Sequence, residues 1–322
     1  AIDLAQRHGD QHVHGLLRIH HTIVDHVAMD VLFEELAEIL NGRPASLLPN
    51  TVPYRNFVAH MGRSDISAAE EHFRRVLGDV DEPTLPFGSI KTRDNDGDVK
   101  ETRLVLDDAL VHRIRAVARH HSTGPAIVFH VAFGLLIAKC SGKDDVVFGT
   151  VLSGRMNGVP GISRMQGVFI NTLPMRLDLR GIDVSEAVSV AQDMMLGLLE
   201  HEQTPLAVAQ RCSGVDGEAS LFGGLLNYVY TKPMSQSVPS GVDVIETHEQ
   251  TNYPLAVKVD DVGKSFAFTV QAREPLDSGR IAGYFREATV HVVDALEGDA
   301  KQKVLNLSIL PMAEREQVLQ GF

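Results

Sequence analysis

Residues 12–19, HVHGLLRI, form a β-rich run that predicts a strand ending at the pair His20 and His21. From Asp25 the period changes. Val27, Val31, Leu32, Leu36 and Leu40 recur at helical spacing, with Asp30, Glu34, Glu35 and Glu38 mostly on the opposite side. The pattern predicts an amphipathic helix, ended by Asn41-Gly42-Arg43-Pro44. Helical patterns at 54–61 and 66–77 follow, and then a segment rich in Pro, Gly and Asp from Asp79 to Asp98, the expected boundary between two lobes.

A short strand is predicted at 101–106, then an Asp-capped helix from Asp107 with the apolar stripe Leu110, Ile114 and Val117. The nearly all-apolar run 126–139 predicts a helix buried on most sides. Strands at 145–152 and 168–177 flank a Gly-rich loop, and 184–200 reads as a helix. Three β-like runs, 221–230, 253–259 and 265–271, precede a helix over 278–296. Helices and strands interleave without strict alternation, which predicts an α/β arrangement with a mixed sheet. There is no internal repeat and no low-complexity tract.

Composition narrows the function classes. A net charge of -12 and the absence of a basic stripe argue against a nucleic-acid surface, which needs clustered Lys and Arg. No apolar run approaches the roughly 20 residues needed to cross a bilayer, and the opening is neither a signal peptide nor a presequence, so a cytoplasmic setting without membrane partners is expected. Cys140 and Cys212 have no CxxC spacing and are expected to be packing groups in a reducing compartment. The chain opens on Ala1, only a few residues before a strand, which reads as a fragment of a longer protein.

There is no GxGxxG, Walker loop, GxSxG elbow or HExxH. The loop carrying Gly154, Gly158 and Gly161 lacks the Lys-Ser/Thr ending of a phosphate cradle and reads as a connection. The cluster His20-His21-Thr22-Ile23-Val24-Asp25 places a histidine after a strand and a carboxylate four positions later. An imidazole with an ordinary pKa of about 6.5 can accept or share the proton of an attacking amine near neutral pH. A metal site built from His12, His14, His20, His21 and His26 is the competing reading, but no carboxylate or Cys completes a familiar ligand spacing, so none is expected.

Several segments in one order resemble a known family. His20 to Asp25 resembles the HHxxxDG signature of condensation domains from non-ribosomal peptide synthetases. DDVVFGTVLSGR at 144–155, GVFINTLPMR at 167–176, HEQTPLAVAQ at 201–210, SLFGGLLNYVY at 220–230 and TNYPLAVKV at 251–259 match its later segments. LSILPMAEREQVL at 307–319 resembles the linker into an adenylation domain.

The resemblance implies a chloramphenicol acetyltransferase-like, two-lobed α/β fold with mixed sheets and packed helices. Residues 1–90 would end an N-terminal lobe that is otherwise mostly missing, 91–306 would form the C-terminal lobe, and 307–322 the linker. It implies amide-bond formation between acyl groups held on the 4'-phosphopantetheine of donor and acceptor carrier domains, with no cofactor bound by the domain itself and an adenylation domain as neighbour. Epimerisation of a carrier-bound group, alone or coupled to condensation, and a non-catalytic recruitment module are alternatives on the same fold.

His21 is the implied catalytic residue. His20 is implied to pack and shape the turn, and Asp25 to form a structural ion pair with Arg155. Asn171 and Thr172 are candidate tunnel-lining or lobe-bridging groups. One departure stands out: His26 occupies the position of the motif glycine, where a side chain is expected to narrow the tunnel or restrict the backbone.

Overall fold

A computed structural model describes residues 2–6, 9, 12–62, 65–88, 98–156, 160–217, 219–230 and 251–320. By packing, the chain divides into two compact units. The smaller contains the described residues up to 62 together with 160–170; the larger contains those of 65–156, 171–230 and 251–320. These packing units do not follow a linear division at residue 90, because the helix at 67–77 puts Ala69, Phe73 and Leu77 into the larger core.

In the smaller unit, β1 (Ile2–Ala5) and β2 (His14–Leu17) form an antiparallel pair. A 3-10 turn at His21–Ile23 leads into α1 (His26–Leu40), and α2 (Tyr54–Met61) follows. The predicted stripe of α1 is only partly covered: Val31 is buried and Val27 half-buried, while Leu32, Leu36 and Leu40 are exposed, and Ala28 is buried beside them. The core of this unit lies elsewhere, where Phe57 of α2 meets Ile162, Met165 and Phe169 of the returning chain. Tyr54 meets Phe169 edge-on at 5.2 Å between ring centroids.

The larger unit is built on a six-stranded sheet. Its strands are β3 (Val99–Val105), β4 (Asp145–Leu152), β5 (Asn171–Asp178), β6 (Gly224–Tyr230), β7 (Leu255–Asp261) and β8 (Phe266–Arg273), in the order β3-β8-β7-β6-β4-β5. The β4–β6 and β6–β7 pairs are parallel and the rest antiparallel, so the sheet is mixed as predicted. The helices are α3 (Ser67–Leu77), α4 (Asp108–His120), α5 (Pro125–Ser141), α6 (Val184–Glu200), α7 (Leu206–Arg211), α8 (Ser278–Glu297) and α9 (Met312–Gln320).

The apolar run expected to be buried is α5, which packs on α4, α6, α8, β4 and β6. Pro125 at its start and Gly142 at its end, with φ 70°, give it the usual punctuation. Around it Phe129 and Phe133 meet Phe266, Phe148 and Phe285 in edge-to-face pairs. No single described helix is long and apolar enough to cross a membrane. The hydrophobicity of α5 is that of a core helix, with residues Ile127 to Ala138 all buried.

Most elements fall within a few residues of their predicted positions. The strand expected from 168 begins instead at Asn171, because the chain before it is engaged by the smaller unit. The strand expected over 12–19 is β2, whereas β1 is not anticipated by the sequence pattern; the short α7 and the nine-residue α9 correspond to stretches that the sequence presents as a motif and a linker.

Candidate functional site: the histidine motif and its buttressing loops

The histidine motif is held by local backbone chemistry. His20 is exposed, and its Nδ1 accepts from the Thr22 amide at 3.2 Å and lies 2.7 Å from the Thr22 hydroxyl, capping the 3-10 turn. The backbone of His21 opens that turn; its side chain lies outside the described residues. Asp25 is buried, with 1% of its surface exposed. It is the N-cap of α1, and one carboxylate oxygen accepts from the Ala28 amide at 2.8 Å. The other accepts from the amide of Phe169 at 3.0 Å, across 144 residues of sequence.

This second bond explains why the strand starts late. Three further contacts stitch the returning segment to the motif's own unit. Tyr54 donates its hydroxyl proton to the Val168 carbonyl at 2.7 Å. Arg164 reaches Glu34 at 3.0 Å and Glu35 at 3.5 Å on α1. At Gly167 a Cβ would overlap the Tyr54 ring, so only glycine lets the chain pass so closely. The segment before FINTLP is thus a buttress for the turn that carries the histidines.

His26 occupies the first residue of α1 and is exposed. Among the described residues only Phe87 and Ser122 combine a side chain with positive φ. The backbone at position 26 is therefore ordinary helix, and the missing glycine imposes no strain there. This corrects the expectation of a restricted backbone; the helix starts normally, capped by Asp25.

In the larger unit the other candidate polar groups meet at one turn. Asn171 donates its side-chain amide to the carbonyls of Glu202 at 2.9 Å and Thr204 at 2.6 Å. Its own side-chain oxygen accepts from the Thr172 amide at 2.9 Å. Gln203, in the same turn, donates to the Gly154 carbonyl. Gly154 has φ 66°, a left-handed bend that L side chains rarely adopt, at the end of β4 and just before Arg155. Arg155 is partly buried, and its amide is 3.4 Å from the Ser153 hydroxyl. Residues 157–159 of the Gly-rich loop, Gly158 included, lie outside the described residues. The role of Gln203 is not inferred from the sequence, although HEQTP stands out as a motif there.

Among the described residues no group of three His, Cys, Asp or Glu side chains could hold a metal ion. Cys212 is buried, and burial pushes the Cys140 thiol up to about 12, so Cys140 offers no ready thiolate.

A family model described as Condensation domain matches residues 4–319. Malpinin synthetase of Mortierella alpina is 41% identical over 307 residues, which are 94% of this chain and 4% of that protein. The chain therefore spans a small fraction of the relative it matches. Among solved structures, the condensation domain from Monacolin K polyketide synthase MokA is similar with a TM-score of 0.69 at 18% identity, covering 88% of this chain and 69% of that one. A complex of the X-domain and OxyB from teicoplanin biosynthesis gives a TM-score of 0.69 at 19% identity, covering 91% and 69%. The fold is thereby of the chloramphenicol acetyltransferase-like α/β class, with its mixed sheet and packed helices. With the motif segments in family order and the match running nearly end to end, the chain belongs to the condensation-domain family of non-ribosomal peptide synthetases.

Proposed function

We propose that this chain supplies the histidine motif and C-terminal lobe of a domain that forms an amide bond between two carrier-bound substrates. The amine of the acceptor aminoacyl thioester attacks the donor thioester carbonyl. A C–N bond forms, the donor C–S bond breaks, and the proton lost by the amine ends on the departing thiol. His21 either takes that proton or positions the amine and the tetrahedral intermediate. Both substrates arrive on 4'-phosphopantetheine arms, so the domain needs no cofactor of its own, and its partners are donor and acceptor carrier domains with an adenylation domain beyond residues 307–322.

The observation that carries this reading is the buried Asp25. A motif carboxylate that accepts two backbone amides, one from its own helix and one from Phe169 at the start of FINTLP, acts as a structural keystone for the turn bearing His21. In this reading Asp25 also pairs with Arg155, and Asn171 and Thr172 brace the strand start. The test is product formation on the complete parent domain with loaded donor and acceptor carriers, followed by mass spectrometry of the tethered product. Amide from the parent and none from His21→Ala supports catalysis through His21.

His26 in place of the motif glycine favours a second reading, a recruitment module of the same fold; the similar X-domain from teicoplanin biosynthesis is found in a complex with OxyB. Carriers that bind but never yield product, from parent and mutant alike, would select it. Epimerisation would instead appear as inversion of the donor without amide formation.

A further inference from the structure

Gln203 belongs to none of the roles assigned above, and its surroundings are unusually specific. The turn Glu202-Gln203-Thr204 follows α6 and packs deep: Glu202 is 1% exposed and Thr204 7%. Asn171 brackets it, holding the carbonyl on either side of Gln203 with one side-chain amide. Asn171 is itself locked, since its oxygen accepts from the Thr172 amide. The His201 carbonyl accepts from the Thr204 amide at 2.9 Å, closing the turn. A residue held this way has little freedom in its backbone, and its side chain is directed to one acceptor, the Gly154 carbonyl.

Gly154 is where β4 has ended and the chain bends with φ 66°. A left-handed bend outside a ladder has no sheet hydrogen bonds to fix its peptide planes, so a side-chain donor on its carbonyl sets the direction of the following residue. That residue is Arg155. Three stretches far apart in sequence, ending at 154, beginning at 171 and turning at 203, are thus joined by two side-chain amides, within one packing unit.

We infer that Gln203 is a positioning residue of the condensation reaction, fixing the peptide that carries Arg155 while Asn171 holds Gln203 in place. The inference rests on the condensation reading above. It places one requirement on position 203, an unbranched side chain ending in an N–H donor. Gln203→Leu removes the donor and leaves an apolar side chain of similar bulk, one atom shorter, whereas Gln203→Lys keeps a donor at the end of an unbranched chain.

The experiment uses the complete synthetase with its carriers. Gln203→Leu is expected to lower the rate at saturating carriers by about tenfold or more, because even a small misplacement transmitted from a residue away from the chemistry is costly. Carrier KM stays within about threefold, and the melting temperature within about 4 °C, the shift expected for one hydrogen bond. Gln203→Lys recovers most of the rate. A Gln203→Leu enzyme with the parent's rate, or a Gln203→Lys enzyme as slow as Gln203→Leu, overturns the inference.

A parent that makes no amide with any carrier pair sinks the condensation reading, and denaturant unfolding then decides the link separately. If Gln203 acts through Arg155, the losses from Gln203→Leu and Arg155→Ala are non-additive in the double variant. Additive losses would show that the turn does not govern Arg155.

Discussion

Asp25 joins the sequence motif to the fold. Its two oxygens receive two backbone amides in a buried setting, so removing it leaves two donors without acceptors. Asp25→Ala is expected to cost about 2–4 kcal/mol, combining a lost helix cap with a second unsatisfied amide. Asp25→Asn keeps the shape and one acceptor and loses less; urea unfolding ranks the two. Arg155→Ala tests the proposed ion pair. Breaking a buried pair costs roughly 3–5 kcal/mol, so a melting temperature equal to the parent's would rule the pairing out. The carboxylate is legible in the sequence from its spacing after His21. Its partner Phe169 is not, because no local pattern announces which distant amide will point at a buried oxygen.

At the scale of elements, the start of α1 shows which part of a motif the backbone needs. Residue 26 sits in helical backbone without positive φ, so the glycine usual at this position is not a conformational requirement here. His26→Gly is expected to destabilise the chain by no more than about 1 kcal/mol, the cost of glycine in a helix. Should the His26 side chain narrow the substrate route, the same variant accelerates tethered-product formation; an unchanged rate removes the side chain from the tunnel. The elements 54–61 and 184–200 are legible to the residue because their periodicity and caps are local: Asp183 and Glu186 form a capping box at the start of α6. Sequence pattern places the strand of FINTLP three residues early because a β-like composition also suits an extended segment that bonds elsewhere.

For the molecule as a whole, the larger core contains groups that resist acid. His130, on the buried face of α5, has one ring nitrogen 2.7 Å from the Ala126 carbonyl and the other 2.7 Å from the Thr150 hydroxyl, which suits a neutral ring. Burial pushes it down to about 4. His72 is held below the ordinary range as well, first by burial, then by the His201 ring 4.7 Å away and the Arg75 guanidinium. Both rings bind a proton less readily in the fold than in the unfolded chain, so the unfolded chain binds more protons as pH falls. Their stabilisation is complete above the ordinary histidine value of about 6.5 and is lost as pH falls toward the folded values. His130 alone should remove about 2 kcal/mol between pH 7 and pH 5. Replacing His130 by Leu together with Thr150 by Val removes the titration without leaving an orphan hydroxyl. Denaturant unfolding of that double variant at the two pH values should show a slope shallower by that amount, and an unchanged slope would assign the acid sensitivity elsewhere.

What the sequence determined by itself was local or cumulative: the helices with clear stripes, the mixed α/β class, the buried character of 126–139 and the family motifs in order. Each follows from periodicity, capping or a run of residues close together in the chain. The tertiary structure alone decided that Phe169 completes the shell of Asp25, that Tyr54 and Gly167 press the returning segment onto α2, and that Gln203 meets Gly154 beside Arg155. It also decided that the apolar stripe of α1 is only half covered among the described residues. These pairings join positions tens to more than a hundred residues apart, and their energy depends on distance and direction in space, which a linear pattern does not encode.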